Sequence, residues 1–137
     1  MEVTMKIEQE EAQKLTKTLV SYASMTGTDQ VAACAEYIKE WFDALSIEAK
    51  IVSFDGVPNV VARVGKEGGR RILLDGHFDV VPPGDMAEWK TDPFQAQIRD
   101  GYIYGRGVSD MKSGVAAAML AMRELKKQEE TLEGEAV

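Results

Sequence analysis

Apolar residues recur at helical spacing in three stretches of the chain, and in between they give way to short extended runs. Between positions 8 and 22, Ala12, Leu15, Leu19 and Tyr22 share one side while Glu10, Glu11, Lys14 and Lys17 occupy the other, which predicts an amphipathic helix. Gly27-Thr28-Asp29 carries loop and N-cap chemistry, and the stripe Val31, Cys34, Ala35, Ile38, Phe42 and Leu45 predicts a second helix behind it. Residues 49–54 and 59–64 predict strands. In the latter, Val60, Ala62 and Val64 alternate with more polar neighbours ahead of a glycine-bounded turn. Ile72-Leu73-Leu74 is apolar without alternation, which predicts a central strand covered on both faces. Asp100-Gly101 between two short extended runs predicts a hairpin, because a type I′ turn needs positive φ at both central residues. A third helix is expected over about 112–128. Met111, Val115, Ala118, Met119, Met122 and Leu125 form its core stripe, and Arg123, Lys126 and Lys127 lie near its negative end.

Helices on either side of an extended middle predict an α/β fold. The expected form is a layered helix–sheet–helix arrangement around a mixed, mostly parallel sheet, without internal repeats or linkers. At 137 residues and 45% hydrophobic content the chain is sized for one core. A net charge of -7 argues against a nucleic-acid partner, since Arg70-Arg71 and Lys126-Lys127 are only short basic pairs. Met1-Glu2-Val3-Thr4-Met5-Lys6 lacks an apolar signal core, and the longest apolar run, 115–122, is far below the roughly 20 residues a bilayer span needs. A soluble, cytoplasmic protein with no membrane partner is expected. The single cysteine, Cys34, falls among apolar helix positions and reads as a buried thiol rather than a nucleophile.

The candidate chemistry lies between Leu73 and Gly114. His77, the only histidine, stands two residues before Asp79 at the end of an extended run, so both side chains can reach one face. A metal-bound imidazole commonly has its second ring nitrogen held by a carboxylate, a role open to Asp79. An isolated His-x-Asp is also compatible with a histidine that has an incidental acidic neighbour. Asp110 closes the loop Gly105-Arg106-Gly107-Val108-Ser109 at a helix start. There it is either an N-cap or a carboxylate able to reach two cations.

Leu74-Asp75-Gly76-His77-Phe78-Asp79-Val80-Val81-Pro82, then Trp89, Asp92-Pro93-Phe94, Asp100-Gly101-Tyr102-Ile103-Tyr104-Gly105-Arg106-Gly107 and Asp110-Met111-Lys112-Ser113-Gly114 closely resemble the acetylornithine deacetylase and succinyl-diaminopimelate desuccinylase family of metallopeptidases. The resemblance implies a hydrolase with two divalent metal ions, usually zinc, with cobalt or manganese as substitutes. His77 would ligate one ion, Asp110 would bridge both, and Asp79 would play a catalytic, orienting part. It implies a cis peptide at Asp110-Met111. Ser113 departs from the family, where glycine is commoner. Trp89 and Pro93-Phe94 either pack a long loop onto the core or meet substrate.

By the same resemblance the substrate is a small N-acyl amino acid or a short peptide, the enzyme serves amino-acid biosynthesis, and the full-length parent is a candidate homodimer. In the family a Glu-Glu pair follows the last helix and one further strand and supplies the base and a ligand. Glu129-Glu130 imitates that pair but falls just after the helix, at its far end from Asp110, and reads as a solvated face. Leu132-Glu133-Gly134-Glu135-Ala136-Val137 reads as the opening of the returning strand. The expectation is an N-terminal catalytic-domain segment, residues 1–137, with a truncated sheet and no turnover by itself. A dipeptidase or tripeptidase of the same superfamily and a non-catalytic α/β binding module are the competing assignments.

Overall fold

The computed structural model describes residues 7–137. The Met1–Lys6 stretch, expected to lack a signal core, lies outside the described residues.

The three helices form where the apolar stripes place them: α1 at Gln9–Ser21, α2 at Asp29–Asp43 and α3 at Ser113–Lys126. Thr28 holds the N-cap position of α2, but its hydroxyl donates to the Met25 carbonyl (2.7 Å) instead of accepting from the helix. A single core joins Leu15 and Leu19 of α1, Cys34, Ile38 and Phe42 of α2 and Met119, Leu120 and Met122 of α3 to Ala49, Ala62, Val64 and Ala136 of the sheet. Each fully buried leucine of this kind contributes about 1.5–3 kcal/mol through the water it leaves. Cys34 is wholly buried, and burial pushes its thiol above the usual range against the opposing pull of Lys112 and a hydrogen bond with Ser24. The methionine stripe of α3 is core, as its spacing predicts.

Strands β1 (Glu48–Phe54), β2 (Val57–Gly65), β3 (Arg70–Ile72) and β6 (Gly134–Ala136) form one sheet in the order β1-β2-β6-β3. The returning strand is therefore present, inserted between β2 and β3. It is antiparallel to β2 and parallel to β3, and Val137 continues the ladder by donating to the Ile72 carbonyl (2.9 Å) and accepting from the Leu74 amide (2.8 Å). The sheet is mixed, as expected, but mostly antiparallel rather than mostly parallel: only the β3–β6 pair is parallel. Register there is fixed by charge. The Glu135 side chain, only 5% exposed, takes a hydrogen bond from Arg71 Nε (2.6 Å) on β3 and pairs with Arg63 on β2 (3.4 Å).

Ile72, Leu73 and Leu74 do not form the covered central strand that their apolar run predicts. β3 is an edge of the sheet, and Ile72 and Leu73 are 64% and 69% exposed. Beyond residue 72 the chain borders an apolar groove, lined on the other side by Val60 and Ala62 of β2 and roofed by Phe42, Met119 and Met122. The hairpin is where Asp100-Gly101 puts it. β4 (Gln97–Arg99) pairs with β5 (Tyr102–Tyr104), and Asp100 and Gly101 take φ of 52° and 80°, as a type I′ turn demands.

Candidate metal centre

β3 runs on through residues 73–76 to His77 and Asp79, and a neighbouring loop holds that segment in place. Ser24 Oγ donates to the Phe78 carbonyl (2.5 Å), the Val80 amide to the Ser24 carbonyl (2.9 Å) and the Thr26 amide to the Val80 carbonyl (3.2 Å). The loop after α1 thus lies in parallel against residues 78–80, with Met25 bridged to Val80.

Asp110 arrives from the other side. After β5 the chain turns at Gly107 (φ 83°), where an added Cβ would sit 2.4 Å from Val80 Cγ1. Glycine is therefore required both by the left-handed backbone and by the close approach to the His77 segment. Asp110 (φ -131°, ψ 93°) and Met111 are non-helical, so Asp110 lies outside α3, whose N-cap is Lys112. The N-cap alternative for Asp110 is removed, and the Asp110-Met111 peptide is cis, as the resemblance implies.

The two arms meet. His77 Nε2 lies 2.9 Å from Asp110 Oδ1, and His77 Nδ1 lies 3.1 Å from the Asp79 carbonyl oxygen and 3.2 Å from Asp79 Oδ1. Burial presses the imidazole pKa down, but the hydrogen bonds to Asp110 and to the Asp79 backbone, with both carboxylates nearby, carry it above the usual value. Both ring nitrogens face acceptors, which suits an imidazolium, and a divalent cation could take the place of the Nε2 proton. Thr26, His77, Asp79, Arg106, Gly107 and Asp110 line a recess of about 210 Å³.

Lys112, which sequence reasoning placed merely at a helix start, is wholly buried under this site. Its Nζ donates to the Leu19 (2.8 Å) and Tyr22 (2.7 Å) carbonyls at the end of α1, and its backbone amide donates to Gly107 (2.8 Å). Burial pushes its ammonium below the usual lysine range, against the pull of Cys34 and Asp79. Trp89 and Pro93 close the loop rather than the recess. Trp89 Nε1 donates to Pro83 (3.0 Å), Arg106 stacks over the indole at 5.3 Å, and the Pro93 carbonyl accepts from the Arg106 amide (2.7 Å). Glu129 serves the scaffold, accepting from the Gly65 amide (3.2 Å) and pairing with Lys126, while Glu130 is exposed.

The model of peptidase family M20/M25/M40 matches residues 73–137, which contain His77, Asp79 and Asp110. Succinyl-diaminopimelate desuccinylases are similar over most of the chain: that of Wolbachia pipientis (subsp. Culex pipiens) is 43% identical over 110 residues, 80% of this chain and 27% of its own length. The Thioalkalivibrio sulfidiphilus enzyme is 43% identical over 107 residues, 78% of this chain and 28% of its own. The stretch 73–137, which carries the candidate site, belongs to the M20/M25/M40 peptidase family. Among solved structures, an M20 family metallo-carboxypeptidase from Sulfolobus solfataricus superposes with a TM-score of 0.81 at 26% identity, over 95% of this chain and 30% of that one. The chain thus spans a little over a quarter of the length of the curated relatives it matches.

Membership in this family implies a divalent metal, and the donor pair fits one. Imidazole and carboxylate are zinc ligands at about 2.0–2.2 Å, and two such donors on a tetrahedral ion sit roughly 3.4 Å apart. The 2.9 Å between His77 Nε2 and Asp110 Oδ1 needs only a small opening. Asp79 lies behind the ring, with Oδ1 3.2 Å and its carbonyl oxygen 3.1 Å from Nδ1, the side on which a metal-bound imidazole commonly has its outer partner. Among the described residues no group of three His, Cys, Asp or Glu side chains is placed to hold a metal ion. Among the same residues no helix is long and apolar enough to cross a membrane.

Proposed function

We propose that the protein carrying these residues is a divalent-metal-dependent hydrolase that cleaves the amide bond of a small N-acyl amino acid, of desuccinylase or deacetylase type. Two ions, with zinc native and cobalt or manganese as replacements, are held in part by His77 and Asp110. The observation that carries this reading is the 2.9 Å approach of the His77 ring to the Asp110 carboxylate, with Asp79 behind the ring. The similarity to the two desuccinylases favours a succinylated substrate.

The chemistry a bound ion supplies is polarisation of the scissile carbonyl and a lowered pKa for water. The residues of this chain prepare the place for it. Asp79 holds the Nδ1 proton of His77, which leaves Nε2 as the donor nitrogen. Asp110 offers a carboxylate that is 88% exposed, free enough to span two ions. The Gly105–Gly107 turn and residues 79–81 wall the recess where a small amide would sit. The general base and the remaining ligands are supplied by residues outside this set, and residues 1–137 form the N-terminal segment of the catalytic domain, without turnover by themselves. A cytoplasmic enzyme acting on a small solute, as a homodimer, fits this assignment.

A second reading, a peptidase acting on short peptides, is favoured by the fit to the Sulfolobus metallo-carboxypeptidase. Assaying the longer protein against N-succinyl-diaminopimelate, N-acetylornithine and a dipeptide panel with added cobalt separates the two. Preference for the succinylated substrate is expected. Exclusive dipeptide cleavage moves the assignment to the second reading, and no metal-dependent hydrolysis of any of them overturns both.

A further inference from the structure

The relay at the site extends one residue further than its ligands. Thr26 Oγ1 donates to Asp79 Oδ2 at 2.7 Å, and the other oxygen, Oδ1, faces His77 Nδ1 at 3.2 Å. The Asp79 carboxylate is therefore gripped at both ends. Thr26 is itself fixed, because its amide donates to the Val80 carbonyl and Met25 is bridged to Val80. A carboxylate pinned at one oxygen only could rotate about its last bond and release the ring. With Oδ2 held by Thr26, rotation breaks that hydrogen bond and carries Oδ1 away from the ring, leaving Nδ1 only the Asp79 backbone carbonyl at 3.1 Å.

We propose that Thr26 is a positioning residue: through Asp79 it sets the orientation of the His77 ring, and so the direction in which Nε2 is presented to a cation. The cation part of this inference rests on the metal-site reading above; the ring-orienting part does not. Partners in the outer layer of a metal site typically change affinity by about 10–100-fold when removed, and Thr26 acts one bond further out, so an effect on the order of tenfold or less is expected.

The test uses the single histidine, whose ring nitrogens give an unobstructed long-range ¹H–¹⁵N spectrum. Thr26→Val keeps the shape and removes the donor, Thr26→Ser keeps the donor, and Thr26→Ala serves if the valine variant does not fold. In the metal-free protein at fixed pH, wild type and Thr26→Ser should show an ordered Nδ1–H resonance. Thr26→Val should show it exchange-broadened or shifted, with the backbone spectrum otherwise intact. Zinc titration by calorimetry should then show a several-fold weaker affinity in Thr26→Val and recovery in Thr26→Ser. An unchanged His77 ring spectrum in Thr26→Val overturns the proposal. A changed ring spectrum together with no zinc binding by the wild type overturns the metal-site reading instead and leaves the positioning role standing.

Discussion

His77 Nε2 and Asp110 Oδ1 are 33 residues apart in the chain and 2.9 Å apart in space. Two separate constructions bring them together: a strand continuation tied to the loop after α1, and a glycine turn that lets the Asp110 loop close against Val80. Because each arm has its own supports, the pair can be perturbed from either side, and the consequences differ.

Asp79→Asn keeps the size of the side chain and removes its charge. The His77 ring loses an anionic partner, and divalent affinity should fall by about 10–100-fold with little change in the denaturation midpoint. Isothermal titration with zinc alongside urea unfolding measures both.

Gly107→Ala attacks the other arm. A methyl group at 2.4 Å from Val80 Cγ1, on a backbone with φ of 83°, forces the turn away from the His77 segment. A loss of stability of about 1–3 kcal/mol from the left-handed conformation alone is expected, together with weakened metal binding, as read by urea denaturation and calorimetry.

Lys112 links the site to α1, and its charge gives stability a pH signature. Its native pKa is lowered from 10.5 by burial. Below the native value both states hold the proton; between that value and 10.5 the unfolded chain holds it and the native one does not. Stability from this group therefore rises with pH across that window. Lys112→Met should abolish the rise. It should also destabilise the fold by about 1–3 kcal/mol, because the Leu19 and Tyr22 carbonyls lose their donor. Urea midpoints between neutral and alkaline pH for both proteins test this.

Cys34 should resist a thiol reagent in the native state and react at once in denaturant, since it is wholly buried with its thiol pKa raised. Fast native labelling would mean that α2 opens readily from the core.

The three helices, the hairpin and the core were legible because their periodicities are strong and uninterrupted. That His77, Asp79 and Asp110 come together was legible through motif resemblance; their spacing alone left an incidental pair open. The 72–74 run misled because an apolar segment without alternation has the same sequence whether a neighbour covers it or a groove runs beside it. Lys112 and Thr26 stayed hidden for a different reason. A lysine beside a helix start is ordinarily solvated, and only its seat on the end of α1, more than eighty residues away, makes it internal. Thr26 in a glycine-containing loop looks like turn chemistry until Asp79 is placed against it.

The central claim is that His77 and Asp110 together hold a divalent cation. Calorimetric titration of zinc into the wild-type chain, His77→Ala and Asp110→Ala tests it most directly. Weak but measurable binding by the wild type, lost in both variants, is predicted. Equal affinity in wild type and His77→Ala would contradict it.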